Sequence, residues 1–207
     1  MSTQPLLVWY ASYGANMSSD RLGCYIEGGM PPGGTRANPG CRDRAAPRDS
    51  RAVWLSGGVY FALRSPMWGG GLAVYDPALP GAAPARAHLV TTAQFSDIAA
   101  QEMYREPGTD LDLSTVLSRG RHQLGEGRYE TLLRLGVLEG HPVLGFTAPW
   151  PMARVETVAP SAAYLRTIGT GLSAAHDWGT GRIGAYLANR PGARGAWTPE
   201  QVAALLA

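Results

Sequence analysis

Glu102 is the side chain of this sequence best placed for proton chemistry. Phe95, Ile98, Ala99 and Glu102 fall at i, i+3, i+4 and i+7, so a helix over Phe95 to Arg105 turns Glu102 to within about 20° of Phe95, onto the apolar side. A carboxylate turned inward needs a partner or a task, because an unpaired buried charge is costly, and a positioned carboxylate can take a proton and return it. A salt-bridged structural glutamate fits the same pattern, and Gln101, one position earlier, is expected to be more exposed. Two other segments have ligand-binding character. Tyr13-Gly14-Ala15-Asn16 follows the apolar run Leu6 to Tyr10; a tight turn of small residues leaves consecutive N–H groups free for a carboxylate or oxyanion, an ordinary strand-to-helix turn being the alternative. Ser65-Pro66-Met67-Trp68-Gly69-Gly70-Gly71 sets three glycines beside an aromatic residue, which suits close approach of backbone to a ligand or to another strand.

Other chemistries fail on residue type or context. All eighteen basic residues are arginine, so Schiff bases, pyridoxal phosphate anchoring and a phosphate-loop lysine are excluded. Gly179-Thr180-Gly181-Arg182-Ile183-Gly184 matches a dinucleotide fingerprint in letters, but no strand precedes it and no βαβ unit has room to follow; a helix start is expected. His88, His122, His141 and His176 stand singly and Cys24 and Cys41 cannot complete a thiolate site, so neither a metal nor any other cofactor is expected. Asp110 and Asp112 read as helix-cap residues, and Cys24 as a structural thiol.

The elements that must position these groups are short. With 27 glycines and 16 prolines, turns are numerous. Strands are expected at Leu6 to Tyr10, Ala52 to Leu55, Val59 to Leu63, Leu72 to Tyr75 and Ala87 to Thr91. The second and third of these read as a hairpin through Ser56-Gly57-Gly58, and Asp76 to Pro84 reads as a linker. Tyr129 to Val137 and Pro142 to Thr147 form a second hairpin through Glu139-Gly140. A short helix capped by Ser18 or Ser19 ends before Gly28-Gly29. Late helices start at Ser161 and near Thr180, and a last one at the capping box Thr198-Pro199-Glu200-Gln201. Strands first and helices last indicate an α+β chain.

In these residues the chain resembles the γ-glutamylcyclotransferases. Their pattern is a strand followed by Tyr-Gly-Ser-Asn, a Trp-Gly-Gly-Gly-like turn, a helix ending in the catalytic Glu, and Pro-Ser-x-x-Tyr opening a late helix. Here these are Tyr13-Gly14-Ala15-Asn16-Met17, Trp68 to Gly71, Gln101-Glu102-Met103, and Pro160-Ser161-Ala162-Ala163-Tyr164 with Ile168 and Gly171. The resemblance implies a small mixed β-barrel with flanking helices. It also implies intramolecular aminolysis, in which the α-amine of a γ-glutamyl amide attacks its own γ-carbonyl, giving 5-oxoproline and a free amine or amino acid. By position Glu102 is then the acid/base. Gly14, Ala15 and Asn16 hold the substrate carboxylate through their amides, Tyr13 and Tyr164 line the glutamyl group, and Ser65, Trp68, Gly69 and Gly70 are neighbours. Ala15 departs from the family's serine.

The resemblance leaves two segments over, both within one expected domain of residues 1–207. One is a Gly/Pro/Arg-rich insertion at about 28–51, in which Arg36, Arg42, Arg44, Arg48 and Arg51 stand against Asp43 and Asp49; the other is a helical extension from about residue 172. Part of the arginine cluster facing an anionic substrate or partner is one reading, a solvated loop the other. A formal charge of +2 with 16% charged residues speaks against general nucleic-acid or membrane-surface binding, and the start lacks a basic, long apolar leader, so a cytoplasmic enzyme with a small-molecule γ-glutamyl substrate is expected. A non-catalytic module binding a carboxylate ligand and another amide hydrolase or acyltransferase remain as alternatives, and the sequence does not set the oligomeric state.

Overall fold

The computed structural model describes residues 6–207. In chain order the elements are β1 (Leu7–Ser12), α1 (Ser19–Ile26), β2 (Asp49–Ser56), β3 (Gly58–Ala62), β4 (Leu72–Asp76), β5 (Ala82–Thr91), α2 (Thr92–Glu102), α3 (Ser114–Arg119), β6 (Arg121–Gln123), β7 (Thr131–Leu138), β8 (His141–Thr147), α4 (Ala162–His176), α5 (Thr180–Ala188) and α6 (Pro199–Ala204). The chain is α+β. Six strands form one mixed sheet in the order β2-β5-β1-β8-β7-β6, and β3-β4 is a separate antiparallel pair. β1, at the centre, runs antiparallel to β5 and parallel to β8.

Three expectations change. The strands do not close into a barrel: β2 and β6 are the free ends of an open sheet. Nor do β2 and β3 form a hairpin, because β2 pairs with β5 and β3 with β4; the chain turns a corner at Gly57, whose φ of +129° suits glycine. The stretch read as a linker ends early, since β5 begins at Ala82 and its first residues complete the β2 ladder. The β7–β8 hairpin forms through Glu139 and Gly140, both at positive φ, as two-residue turns require.

Alternation along β1 fills both faces of the sheet. Trp9 and Ala11 join Ala83, Ala85 and Ala87 of β5 under Leu165, Ile168 and Leu172 of α4. Val8 and Tyr10 point the other way, into Phe95, Ile98 and Ala99 of α2, Leu22, Tyr25 and Ile26 of α1, and Phe146 of β8. Burying each large apolar side chain contributes about 1.5–3 kcal/mol. α2 starts at a capping box in which Thr91 Oγ1 accepts from Gln94 N and Gln94 Oε1 accepts from Thr91 N, and α6 at the one spelled by Thr198 and Gln201. The Gly28–Arg48 segment, built on Gly and Pro, has no regular element beyond an isolated Gly29–Asn38 bridge.

Candidate functional site

β1 ends at Ser12, and the chain leaves the sheet through Tyr13–Asn16 into a 3-10 turn, Ala15–Met17. Its carbonyls are used, Met17 N donating to Gly14 O (3.1 Å) and Ser18 N to Ala15 O (3.0 Å). The amides of Gly14, Ala15 and Asn16 have no protein acceptor among the described residues, as the first N–H groups of a helical turn do not. The loop is held from three sides. His88 Nε2 of β5 donates to Asn16 O at 3.1 Å, which places the proton of the neutral imidazole on Nε2. Tyr13 Oη donates to Phe146 O at 2.8 Å. Gly171 lets α4 touch the turn: a Cβ there would stand 2.6 Å from Met17 Cβ and 2.7 Å from Ser18 N.

Glu102, the last residue of α2, meets this loop. Asn16 Nδ2 donates to Glu102 Oε1 (3.0 Å) and to Tyr10 Oη (3.1 Å), so one amide aims the carboxylate and fastens it to the sheet. Glu102 is half-buried. Around it the phenols of Tyr10 and Tyr25 are held protonated well above the ordinary tyrosine value, first by burial and then by the Glu102 charge. Gln101 is buried, not the more exposed of the pair. Helical geometry alone misplaced it because the Gly28–Arg48 loop folds back over α2: Gln101 Nε2 donates to Tyr25 O (2.9 Å) and Asp97 O (3.2 Å), and its Oε1 accepts from Asn38 Nδ2 (3.3 Å) and Gly40 N (3.4 Å).

Trp68 and Tyr164 form the opposite wall, their rings 5.4 Å apart. Tyr164 Oη accepts from Ala73 N at 3.2 Å, and Tyr129 Oη donates to Ala73 O at 2.8 Å; burial pushes the Tyr164 phenol up to about 12. Tyr13, Gly14, Ala15, Asn16, Trp68, Tyr164 and Glu102 thus line one cleft of about 440 Å³ including its mouth. Ser65 borders the outer part of the cleft, and its Oγ accepts from Met67 N (3.2 Å) and Trp68 N (3.1 Å), which sets the Trp68 turn. Gly69 and Gly70 lie outside the lining. Gly69 is exposed at φ +77°, while a Cβ on Gly70 would stand 2.6 Å from Ser161 N, and one on Gly71 would overlap Val158 O. Gly70 and Gly71 serve backbone-to-backbone packing against the segment entering α4.

Arg21 was not singled out by sequence reasoning. Only 3% of it is exposed, yet its guanidinium lines the cleft. It donates to Asn38 Oδ1 at 2.9 Å and lies 4.2 Å from the Tyr25 ring centre. The i, i+4 spacing of Arg21 and Tyr25 on α1 was the available signal. Among the arginines of the Gly28–Arg51 region, Arg36 reaches the cleft. Arg42 instead clips the loop to α2 through Asp97 (3.0 Å) and pairs with Asp110, Arg44 bonds Pro39 O, and Arg51 faces Asp49 and Glu139. Among the described residues no group of three or more His, Cys, Asp or Glu is placed to hold a metal, and no helix is long and apolar enough to cross a membrane. Gly179 caps α5, and no strand leads into it.

The fold, an open mixed sheet with flanking helices, has counterparts among solved structures. A crystal structure of an uncharacterized protein from Homo sapiens superposes with a TM-score of 0.52 at 14% identity, covering 97% of this chain and 98% of that one. A gamma-glutamyl cyclotransferase superposes with a TM-score of 0.51 at 12% identity, covering 98% of each. At such identities the likeness is one of fold. In sequence, Histone deacetylase 5 of Arabidopsis thaliana is 27% identical over 186 residues, an alignment that takes in 80% of this chain and 28% of that protein. The chain therefore spans less than a third of that relative. No family model matches it.

Proposed function

We propose that the chain is a γ-glutamylcyclotransferase-type enzyme that converts a γ-glutamyl amide to 5-oxoproline and a free amine or amino acid, working in the cytoplasm without a cofactor. The observation that carries this reading is the Glu102 carboxylate, held 3.0 Å from Asn16 Nδ2, in one cleft with a loop in which the amides of Gly14, Ala15 and Asn16 have no protein acceptor among the described residues. The free amides suit the α-carboxylate of the glutamyl group. This sets the α-amine beside Glu102 and curls the side chain so that the γ-carbonyl lies within reach of its own nitrogen. Holding both reactants in one folded molecule removes most of the entropic cost of the attack. Glu102 accepts a proton from the α-ammonium, and the freed nitrogen lone pair forms the new C–N bond at the γ-carbon as the carbonyl π pair moves to oxygen. Glu102 gives that proton to the leaving nitrogen, the carbonyl re-forms as the old C–N bond breaks with its electrons on that nitrogen, and Glu102 relays the second proton of the ring nitrogen to the released amine, which departs as an ammonium ion. Both protons and the electron pairs then balance within the substrate and one carboxyl group. Tyr13 and Tyr164, both neutral, present apolar ring faces to the glutamyl methylenes.

The test is incubation of the purified chain with γ-glutamyl dipeptides and γ-glutamyl amines, with 5-oxoproline read by mass spectrometry. Glu102→Gln keeps the shape and removes proton transfer, so turnover falls by about 10²–10⁴. Unchanged turnover in that variant refutes the assignment, release of glutamate in place of 5-oxoproline marks a hydrolase, and thermal stabilisation by glutamyl compounds without product marks a binding module.

A further inference from the structure

Beyond the glutamyl end, the cleft opens into an outer compartment between the Gly28–Arg48 loop, the end of α2 and the turn before β7. Four arginines line it, Arg21, Arg36, Arg105 and Arg128. Arg21, at its floor, is nearly inaccessible. Arg36 and Arg128 stand 4.9 and 4.1 Å from the ring centre of Tyr104, an exposed residue held at φ +55°. Among the described residues none of Arg21, Arg36 and Arg128 has a carboxylate within 4.0 Å, whereas Arg105, on the same rim, is neutralised by Glu130. Only Glu102 and Glu106 bring negative charge to the lining. A buried cation without a counter-ion is costly in the empty site and is relieved by an anion of matching geometry. Two further cations gathered on one aromatic ring repel each other until an anion joins them.

We propose that this compartment is an anion subsite for the leaving half of the substrate, and that the favoured leaving amine carries two negatively charged groups. One matches Arg21 and the second matches the Arg36–Arg128 pair, as the two carboxylates of an acidic amino acid would. The inference rests on the cyclotransferase reading for the identity of the leaving half; the binding of anions at the three arginines does not. It also separates Arg36 from Arg42, which is spent on fastening the loop to α2.

Three probes test it on the full chain: γ-glutamylglutamate, γ-glutamylalanine and γ-glutamylbutylamine, whose leaving halves carry two, one and no negative groups. The expected order of kcat/KM is glutamate, alanine, butylamine, with about tenfold per step for a charge-assisted contact in a partly desolvated site. In Arg36→Gln/Arg128→Gln the glutamate-to-alanine ratio falls toward one, and in Arg21→Gln so does the alanine-to-butylamine ratio. Arg119→Gln, an exposed charge on α3 away from the cleft, keeps both ratios. Binding of the three probes to the Glu102→Gln variant, measured by calorimetry, must follow the same ladder and weaken with salt. If no probe yields 5-oxoproline but the binding ladder and its arginine dependence hold, the subsite stands and the reaction assignment falls. Equal affinities for the three probes, no binding of any of them, or a glutamate-to-alanine ratio untouched by the double variant overturns the subsite. The surface pair keeps the test decisive even where Arg21→Gln fails to fold.

Discussion

His88 ties the candidate site to the acid side of the pH scale. Its ring is 2% exposed and carries the hydrogen bond to Asn16 O that supports the loop from beneath. Burial, reinforced by the charge of Arg86, lowers its pKa from 6.5 to about 4. The unfolded chain therefore binds a proton that the folded chain refuses between these two values. Stability rises with pH wherever the unfolded state holds more protons, so this contribution is complete above about pH 6.5, is lost as pH falls through the window, and levels off below about pH 4. The gap of about 2.5 pH units, at about 1.36 kcal/mol each, amounts to about 3 kcal/mol, most of it lost by about pH 4.5. Against a total stability of about 5–15 kcal/mol that is a large fraction. Urea unfolding of the wild type and of His88→Gln across pH 7.5 to 4.5 measures it. Glutamine retains a donor for Asn16 O and does not titrate, so the variant starts about 1 kcal/mol less stable and the two curves converge or cross on acidification. His176, whose pKa burial also lowers, contributes to both curves alike and cancels. Parallel pH profiles for the two proteins would refute the reasoning, and with it the placement of His88 in a dry site.

Further outcomes follow from packing and charge. Gly71→Ala drives a methyl group into Val158 O and costs about 1–3 kcal/mol or more, a fall of several degrees in Tm by calorimetry. Gly69→Ala meets nothing within 4 Å and pays only for its positive φ, about 1–2 kcal/mol. Arg42→Ala leaves Asp97, which is fully inaccessible, with the Arg42 backbone N–H as its remaining contact. That costs about 3–5 kcal/mol in urea unfolding, whereas Asp97→Asn costs less because the half-exposed Arg42 guanidinium returns to water and keeps Asp110.

How much of this was legible in the sequence depended on whether a local rule or a distant segment set the outcome. The capping box at Thr198, the Glu139-Gly140 turn and the apolar stripe leading to Glu102 obey rules of three or four residues, and they stand where spacing put them. The separation of β2 from β3 was hidden because a Ser-Gly-Gly link permits a hairpin or a corner, and only the pairing of β2 with β5 decides between them. Gln101 was misplaced because its cover is a loop that is distant in sequence. Arg21 escaped notice because an arginine on a short helix is ordinarily a solvated one, and its burial is created by Asn38, Met67 and Trp68 from two later loops. Gly70 and Gly71 carried a true signal of close approach, but the sequence did not say to what.

The seam between Gln101 and the Gly28–Arg48 loop has an evolutionary side. Glu102, Asn16 and Tyr10 are rooted in the central strand and the helix packed on it, where changes disturb the core. The outer wall of the cleft is a strip of glycine, proline and arginine clipped to α2 by Gln101 and Asp97, with no strand or helix of its own to preserve. Such a strip can lengthen, shorten or exchange its charges without refolding the inner cleft. On the proposed cyclotransferase reading, descendants of this fold can diverge in what they release while keeping the way they release it.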